Sequence, residues 1–183
     1  MKGCRVLKIS EVKSILESLK IRDRTLFLTS LFFGTRISET LELTFGHIKG
    51  TYIAIKSKKG NDNQTFDIPA KYREAVDELK KHYEGQGVTI TDKTPLFLSR
   101  KGKNNSITRQ QASQIIRAVC ESLGIEGKVN THSLRKTFVT KIYELTNFNI
   151  AETKTYSRHK SLANLDYYIA TTGKTNLINN LSW

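Results

Sequence analysis

The sequence predicts a mainly α-helical fold with a small antiparallel β-sheet, an α+β domain. Two features carry this expectation. Apolar residues recur every three to four positions through most of the 183 residues. Strict alternation occurs in only one region, "TYIAIKS" and "QTFDIP", on either side of the polar, Gly- and Asn-rich "KKGNDN".

In chain order, Ser10 is a candidate cap for a helix bearing Val12, Ile15, Leu16 and Leu19 on one face. A second helix is expected from Arg22 to Phe33, stopped by Gly34. A third restarts in "TRISETLELTFGHI", with Ile37, Leu41 and Leu43 on its apolar side. The hairpin follows. Tyr72, Val76, Leu79 and Tyr83 mark the next helix, and "PLFLS" reads as a short strand before the basic loop "RKGKNNS". Thr108 is placed to cap a helix carrying Ala112, Ile115, Ile116, Val119 and Leu123, which "SLGIEGK" ends. A helix then spans "NTHSLRKTFVT", and "NFNIAETKTYS" and "LANLDYYIA" read as two more short helices. No Pro- or Gly-rich linker interrupts the chain, which reads as one domain, residues 1–183.

Charge narrows the function classes. Thirty Lys and Arg face 17 Asp and Glu, a net charge of +13, and the pI is about 9.8. A polyanionic partner, nucleic acid first, accounts for that balance; a merely soluble basic surface is the plainer alternative. Cys4 and Cys120 have neither zinc spacing nor a disulfide framework, so a reducing, intracellular setting is expected, with no metal and no other cofactor. No apolar run is long enough to span a bilayer, and "MKGCRVLKIS" is not a secretory signal.

Four places could carry chemistry. Arg36 follows Gly34 at a helix start, where its guanidinium can fork onto a phosphate or pair with Glu39 or Glu42. Lys56, Lys58 and Lys59 crowd the hairpin turn, either as a solvated charge run or as a cationic tip for a duplex, where a lysine can also deliver a proton. His132 and Arg135 lie three apart on one helix, and a surface histidine at a helix N-terminus is the alternative. His159 lies nine residues before Tyr168. Tyr167 and Tyr168 read as core aromatics, or one of them as a nucleophile with a histidine nearby. Lys101, Lys103, Arg109 and Lys136 are further candidates for phosphate contacts, which position a protein without reading sequence.

The ordered set resembles the catalytic domain of the tyrosine recombinases, the phage-integrase and Xer-like family, from about Leu26 to about Thr172. "GTRISETLELTFGHI" is similar to the first arginine box, "HSLRKTF" to the second, and "SRHKSLANLDYY" to the third box with its tyrosine. The resemblance implies a site-specific DNA recombinase or integrase that cuts and rejoins double-stranded DNA without metal or ATP. It implies that Arg36 and Arg135 clamp the scissile phosphate, and that His132 and His159 bond its non-bridging oxygens or move the nucleophile's proton. Lys58 would protonate the leaving 5′ hydroxyl, with Lys59 the alternative. Tyr168 would become a 3′-phosphotyrosine; the spacing from His159 in the third box selects it over Tyr167.

Three features depart from the family pattern. Arg158 stands where a small residue is usual, Lys136 follows Arg135 in place of histidine, and the family's N-terminal DNA-clamping domain is expected to be absent. Residues after about 172 form a tail whose Leu177, Ile178, Leu181 and Trp183 would pack on a neighbouring subunit or fold back. The competing functions are a non-catalytic DNA-binding regulator on the same fold and a topoisomerase or telomere-resolvase relative.

Overall fold

The computed structural model describes residues 3–56, 63–100, 104–157 and 165. Two compact units divide the chain, residues 1–138 and 139–183. In the first, α1 (Ile9–Ser18), α2 (Ile21–Phe33) and the four-residue α3 (Ile37–Thr40) precede the strands β1 (Ile48–Lys49), β2 (Tyr52–Lys56) and β3 (Asn63–Asp67). Then come α4 (Ala70–Gly85), α5 (Arg109–Ser122) and the start of α6 (Thr131–Leu145). This is the mainly helical architecture with a small antiparallel sheet that the periodicity predicts.

The sheet has order β1-β2-β3, with Ile53 opposite Phe66 and Ile55 opposite Gln64. Ile53 and Ile55 are fully buried, while Tyr52 and Lys56 point to solvent, as a period of two requires. The core joins the two isoleucines to Leu26 and Phe27 of α2, Tyr72 and Val76 of α4, and Ala112 and Ile116 of α5. Helix α2 packs along α4, where the ring of Phe33 meets that of Tyr72 edge-on at 4.9 Å. Buried hydroxyls find partners there: Tyr72 OH lies 2.9 Å from Thr29 Oγ1. The outer face of α4 carries four basic and four acidic side chains, so the excess positive charge of the chain lies elsewhere.

Four local expectations need correction. Helix α1 is capped two residues earlier than Ser10 implies: Lys8 is the N-cap, and its backbone N–H donates to Glu11 Oε2 at 2.8 Å. Helix α3 stops at Thr40, because the chain turns there so that the Leu43 carbonyl can accept the Leu96 amide at 3.0 Å. "PLFLS" forms isolated bridges, Thr44 to Pro95 and Leu98 to Ser106, with Leu96 and Phe97 fully buried. A short apolar run without alternation specifies burial, not a ladder. Leu123 caps the end of α5 and stays partly exposed. The Thr108 cap is as expected: Thr108 Oγ1 accepts from the Gln111 amide at 3.2 Å, and Gln111 Oε1 accepts from the Thr108 amide at 2.8 Å.

The second unit contains the end of α6 and α7 (Ile150–Ser157). Asn147 and Phe148 both take left-handed backbone in the turn between them. Phe148 then stacks edge-on against Tyr143 at 5.3 Å, and Asn149 Oδ1 caps α7 through the Glu152 amide. "LANLDYYIA" lies outside the described residues except for Leu165. No described helix is long and apolar enough to cross a membrane.

Candidate functional site

Helix α6 begins with a reciprocal cap that the sequence reading did not identify. Asn130 Oδ1 accepts from the His132 amide at 2.9 Å, while Ser133 Oγ accepts from the Asn130 amide at 3.2 Å. The signal was present as Asn-x-x-Ser ahead of an apolar run. The cap fixes where His132 and Arg135 leave the helix.

Arg135 is only 1% exposed, and among fully buried side chains of the described residues it is the largest. Burial of a guanidinium needs hydrogen-bond acceptors. One acceptor is the carbonyl of Gly34, to which Arg135 Nη1 donates. Gly34 is the C-cap of α2, with φ +55°, and its own amide donates to the Ser30 carbonyl at 3.0 Å. A Cβ at Gly34 would lie 2.2 Å from Phe138 Cδ1, so the absent side chain is what lets α6 seat against the end of α2. The sequence announced Gly34 as a helix stop; its second role, as a seat for Phe138 and Arg135, required the tertiary structure.

Two residues beyond Gly34, Arg36 occupies the N-cap of α3. Its amide donates to Glu39 Oε2 at 2.9 Å and its Nη1 to Glu39 Oε1 at 2.8 Å. Glu39 is 2% exposed, whereas the Arg36 side chain keeps 28% of its surface open. The ion pair weighed against a phosphate role is therefore present, with Glu39 and not Glu42 as this partner. A buried carboxylate holding one edge of a partly open guanidinium orients its remaining donors.

His132 is half-buried. Burial first, and then the positive charges of Arg135 and of Arg36, hold its imidazole below the usual histidine range. Both arginines thus act electrostatically on one ring, though they lie 99 positions apart. The lowered value favours the uncharged imidazole, a form that can both donate and accept a hydrogen bond. His132 and Arg135 lie in the first turns of a 15-residue helix, at its positive end, and Arg36 lies within electrostatic range of His132. That arrangement repels cations and favours an anion with several oxygens.

The remaining predicted site residues, Lys58, Lys59, His159, Tyr167 and Tyr168, lie outside the described residues, as do Arg158, Lys101, Lys103 and the tail. Arg109 is exposed at the start of α5. Lys136 is not: it is 6% exposed, so its expected role as a surface phosphate contact is not supported. Among the described residues no group of three His, Cys, Asp or Glu is spaced to hold a metal ion.

Comparison with known proteins shows the family and the fold. The probable integrase/recombinase YoeC of Bacillus subtilis (strain 168) is 30% identical over 156 residues, covering 84% of this chain and 80% of that protein. Tyrosine recombinase XerD of Bifidobacterium longum (strain NCC 2705) is 25% identical over 146 residues, 76% of this chain and 47% of that one. The fold superposes on XerA recombinase with a TM-score of 0.76 at 21% identity, covering 96% of this chain and 62% of XerA. It superposes on XerH site-specific recombinase bound to a palindromic difH substrate with a TM-score of 0.73 at 22% identity, covering 91% of this chain and 49% of XerH. The chain thus spans about half the length of the XerD and XerH chains it matches. Residues 5–174 match the phage integrase family, and the chain belongs to that family.

Proposed function

We propose that this chain cleaves and rejoins strands of double-stranded DNA by site-specific recombination, through a 3′-phosphotyrosine intermediate. The observation that carries the reading is that two guanidiniums, Arg135 anchored on Gly34 and Arg36 on Glu39, both act on the imidazole of His132. Phosphodiester transfer builds negative charge on the equatorial oxygens of its transition state, and fixed cations facing that charge are the main requirement. Arg135, sunk in the protein and tied to Gly34, supplies a rigid donor. Arg36, tied on one edge by Glu39, supplies a second. The neutral His132 bonds an oxygen or relays a proton, with His159 as its partner in that role.

In the proposed step the Tyr168 oxygen bonds to phosphorus as the bond from phosphorus to the 5′ oxygen breaks. The phenol proton leaves through the histidines, and Lys58 supplies a proton to the departing 5′ oxygen, with Lys59 the alternative donor. Rejoining reverses this: a 5′ hydroxyl from another end attacks the phosphotyrosine. The covalent bond conserves the energy of the one broken, so the exchange needs no ATP. We place the protein inside the cell on DNA and assign self-association on DNA to the C-terminal tail. The chain acts as one catalytic domain.

A nicked substrate whose short 5′ fragment diffuses away tests the reading. Wild type is expected to accumulate a covalent protein–DNA adduct, and Tyr168→Phe to form none. An adduct in the Phe variant would refute the nucleophile. DNA binding without an adduct in wild type would favour a non-catalytic regulator.

A further inference from the structure

A buried lysine is unfavourable unless something specific holds it. Lys136, next to Arg135 on α6, is 6% exposed, and its Nζ donates to the carbonyl of Cys4 at 3.2 Å. Cys4 belongs to an extended segment that runs into α1 and is held along its length. The Arg5 amide donates to the Lys128 carbonyl at 3.1 Å, and the Leu7 amide donates to Thr137 Oγ1 at 2.9 Å. Arg5 Nε donates to the Glu126 carbonyl at 2.8 Å, while its other two nitrogens grip Glu11 at 2.8 and 2.7 Å. The Leu7 side chain is buried in the core with Leu134 of α6.

Successive helix residues turn by about 100°. Arg135 and Phe138 therefore share the flank of α6 that seats on Gly34, whereas Lys136 and Thr137 hold the segment 4–7 on the other flank. His132 projects between them. A helix gripped on one flank only can roll about its axis; gripped on both, it cannot. Thr137 Oγ1 also donates to the Ser133 carbonyl at 2.8 Å, which links the strap back to the capped first turn.

We propose that Lys136 is a positioning residue for strand transfer: by holding the Cys4 carbonyl it straps residues 4–7 onto α6 and fixes the roll that aims Arg135 and His132 at the scissile phosphate. This rests on the function proposed above, and it assigns Lys136 a task other than contact with DNA. Methionine at this position keeps the stem and loses the donor, whereas arginine keeps a donor.

The test compares wild type, Lys136→Met, Lys136→Arg and Thr137→Val on the nicked substrate, at DNA concentrations up to saturation. Lys136→Met is expected to lower the adduct-forming rate at saturating DNA by about tenfold or more, since small misplacements of catalytic groups cost that much. The half-saturating DNA concentration stays within about twofold, because no phosphate contact is lost. Lys136→Arg restores most of the rate. Hydrogen exchange gives a readout independent of chemistry: the Arg5 and Leu7 amides lose protection in Lys136→Met and keep it in Lys136→Arg. A higher half-saturating concentration with a normal saturating rate overturns the proposal and makes Lys136 a DNA contact. An unchanged rate with unchanged exchange also overturns it. Should Lys136→Met fail to fold, Thr137→Val decides by the same criteria, because it releases the same strap at Leu7. If wild type forms no adduct, the recombinase reading has failed, and exchange still judges the strap.

Discussion

Gly34→Ala is the sharpest perturbation of the site. Two costs can be separated. At φ +55° a non-glycine residue is strained by about 1–2 kcal/mol. The new methyl would also lie 2.2 and 2.4 Å from two ring carbons of Phe138, which is itself buried. Overpacking of that kind typically costs a further ~1–3 kcal/mol. A total of about 2–5 kcal/mol is therefore expected, a large share of a stability that is usually about 5–15 kcal/mol. Because Phe138 lies one turn from Arg135, whose Nη1 bonds the Gly34 carbonyl, adduct formation should fall as well. Urea denaturation of four proteins measures it: wild type, Gly34→Ala, Phe138→Leu and the double variant. The penalty of Phe138→Leu should shrink or reverse in the Gly34→Ala background, since the smaller side chain relieves the clash. Gly34→Asn, which tolerates left-handed backbone, should remain destabilised by the contact. A Gly34→Ala protein within about 0.5 kcal/mol of wild type would refute the argument, because that is the range of an ordinary surface change.

Other consequences follow from single contacts. Glu39→Ala strips Arg36 of two charge-assisted bonds and should cost about 2–3 kcal/mol in denaturant unfolding while lowering the adduct-forming rate. Tyr83 OH donates to the Leu96 carbonyl at 3.0 Å and accepts from the Leu98 amide at 3.1 Å, so Tyr83→Phe should cost about 1–3 kcal/mol by leaving both groups unmet. Burial pushes the Tyr83 phenol up to about 12, and spectrophotometric titration should find it un-ionised at pH 10.5 in the folded protein. The His132 imidazole should titrate by NMR below 6.5 in the free protein and higher once a DNA phosphate is bound. Its unfolded form takes up a proton first, so it favours folding above about pH 6.5, an advantage lost as pH falls through the lower folded value. Glu11, which Arg5 holds below the usual carboxylate range, acts with the same sign in a more acidic window: its contribution is present above about 4.5 and lost as pH falls through its depressed value. Glu11→Gln should flatten that acidic limb of the stability curve and leave the limb near pH 6 intact.

The amino-acid order alone determined the helical or alternating period of the main elements, the Thr108 cap and the family. Alternation in "TYIAIKS" and "QTFDIP" can be satisfied only with Ile53 and Ile55 turned inward, and Thr108 with Gln111 specifies its own cap. Arg36, His132 and Arg135 were legible as site candidates because their residue types and order matched a recombinase pattern. These are local properties, set within a few residues of each other or by a linear motif. What only the tertiary structure decided is pairing across long stretches of chain. It gave Gly34 to Phe138 and Arg135, chose Glu39 over Glu42 as the Arg36 partner described above, and turned Lys136 from a surface cation into the anchor of Cys4. "PLFLS" showed the same limit, since its apolar run required burial but could not say whether a strand would lie beside it. A side chain's type and its place in a helical period say which way it points; what it meets there depends on which distant segment arrives, and that is settled by packing the whole core at once.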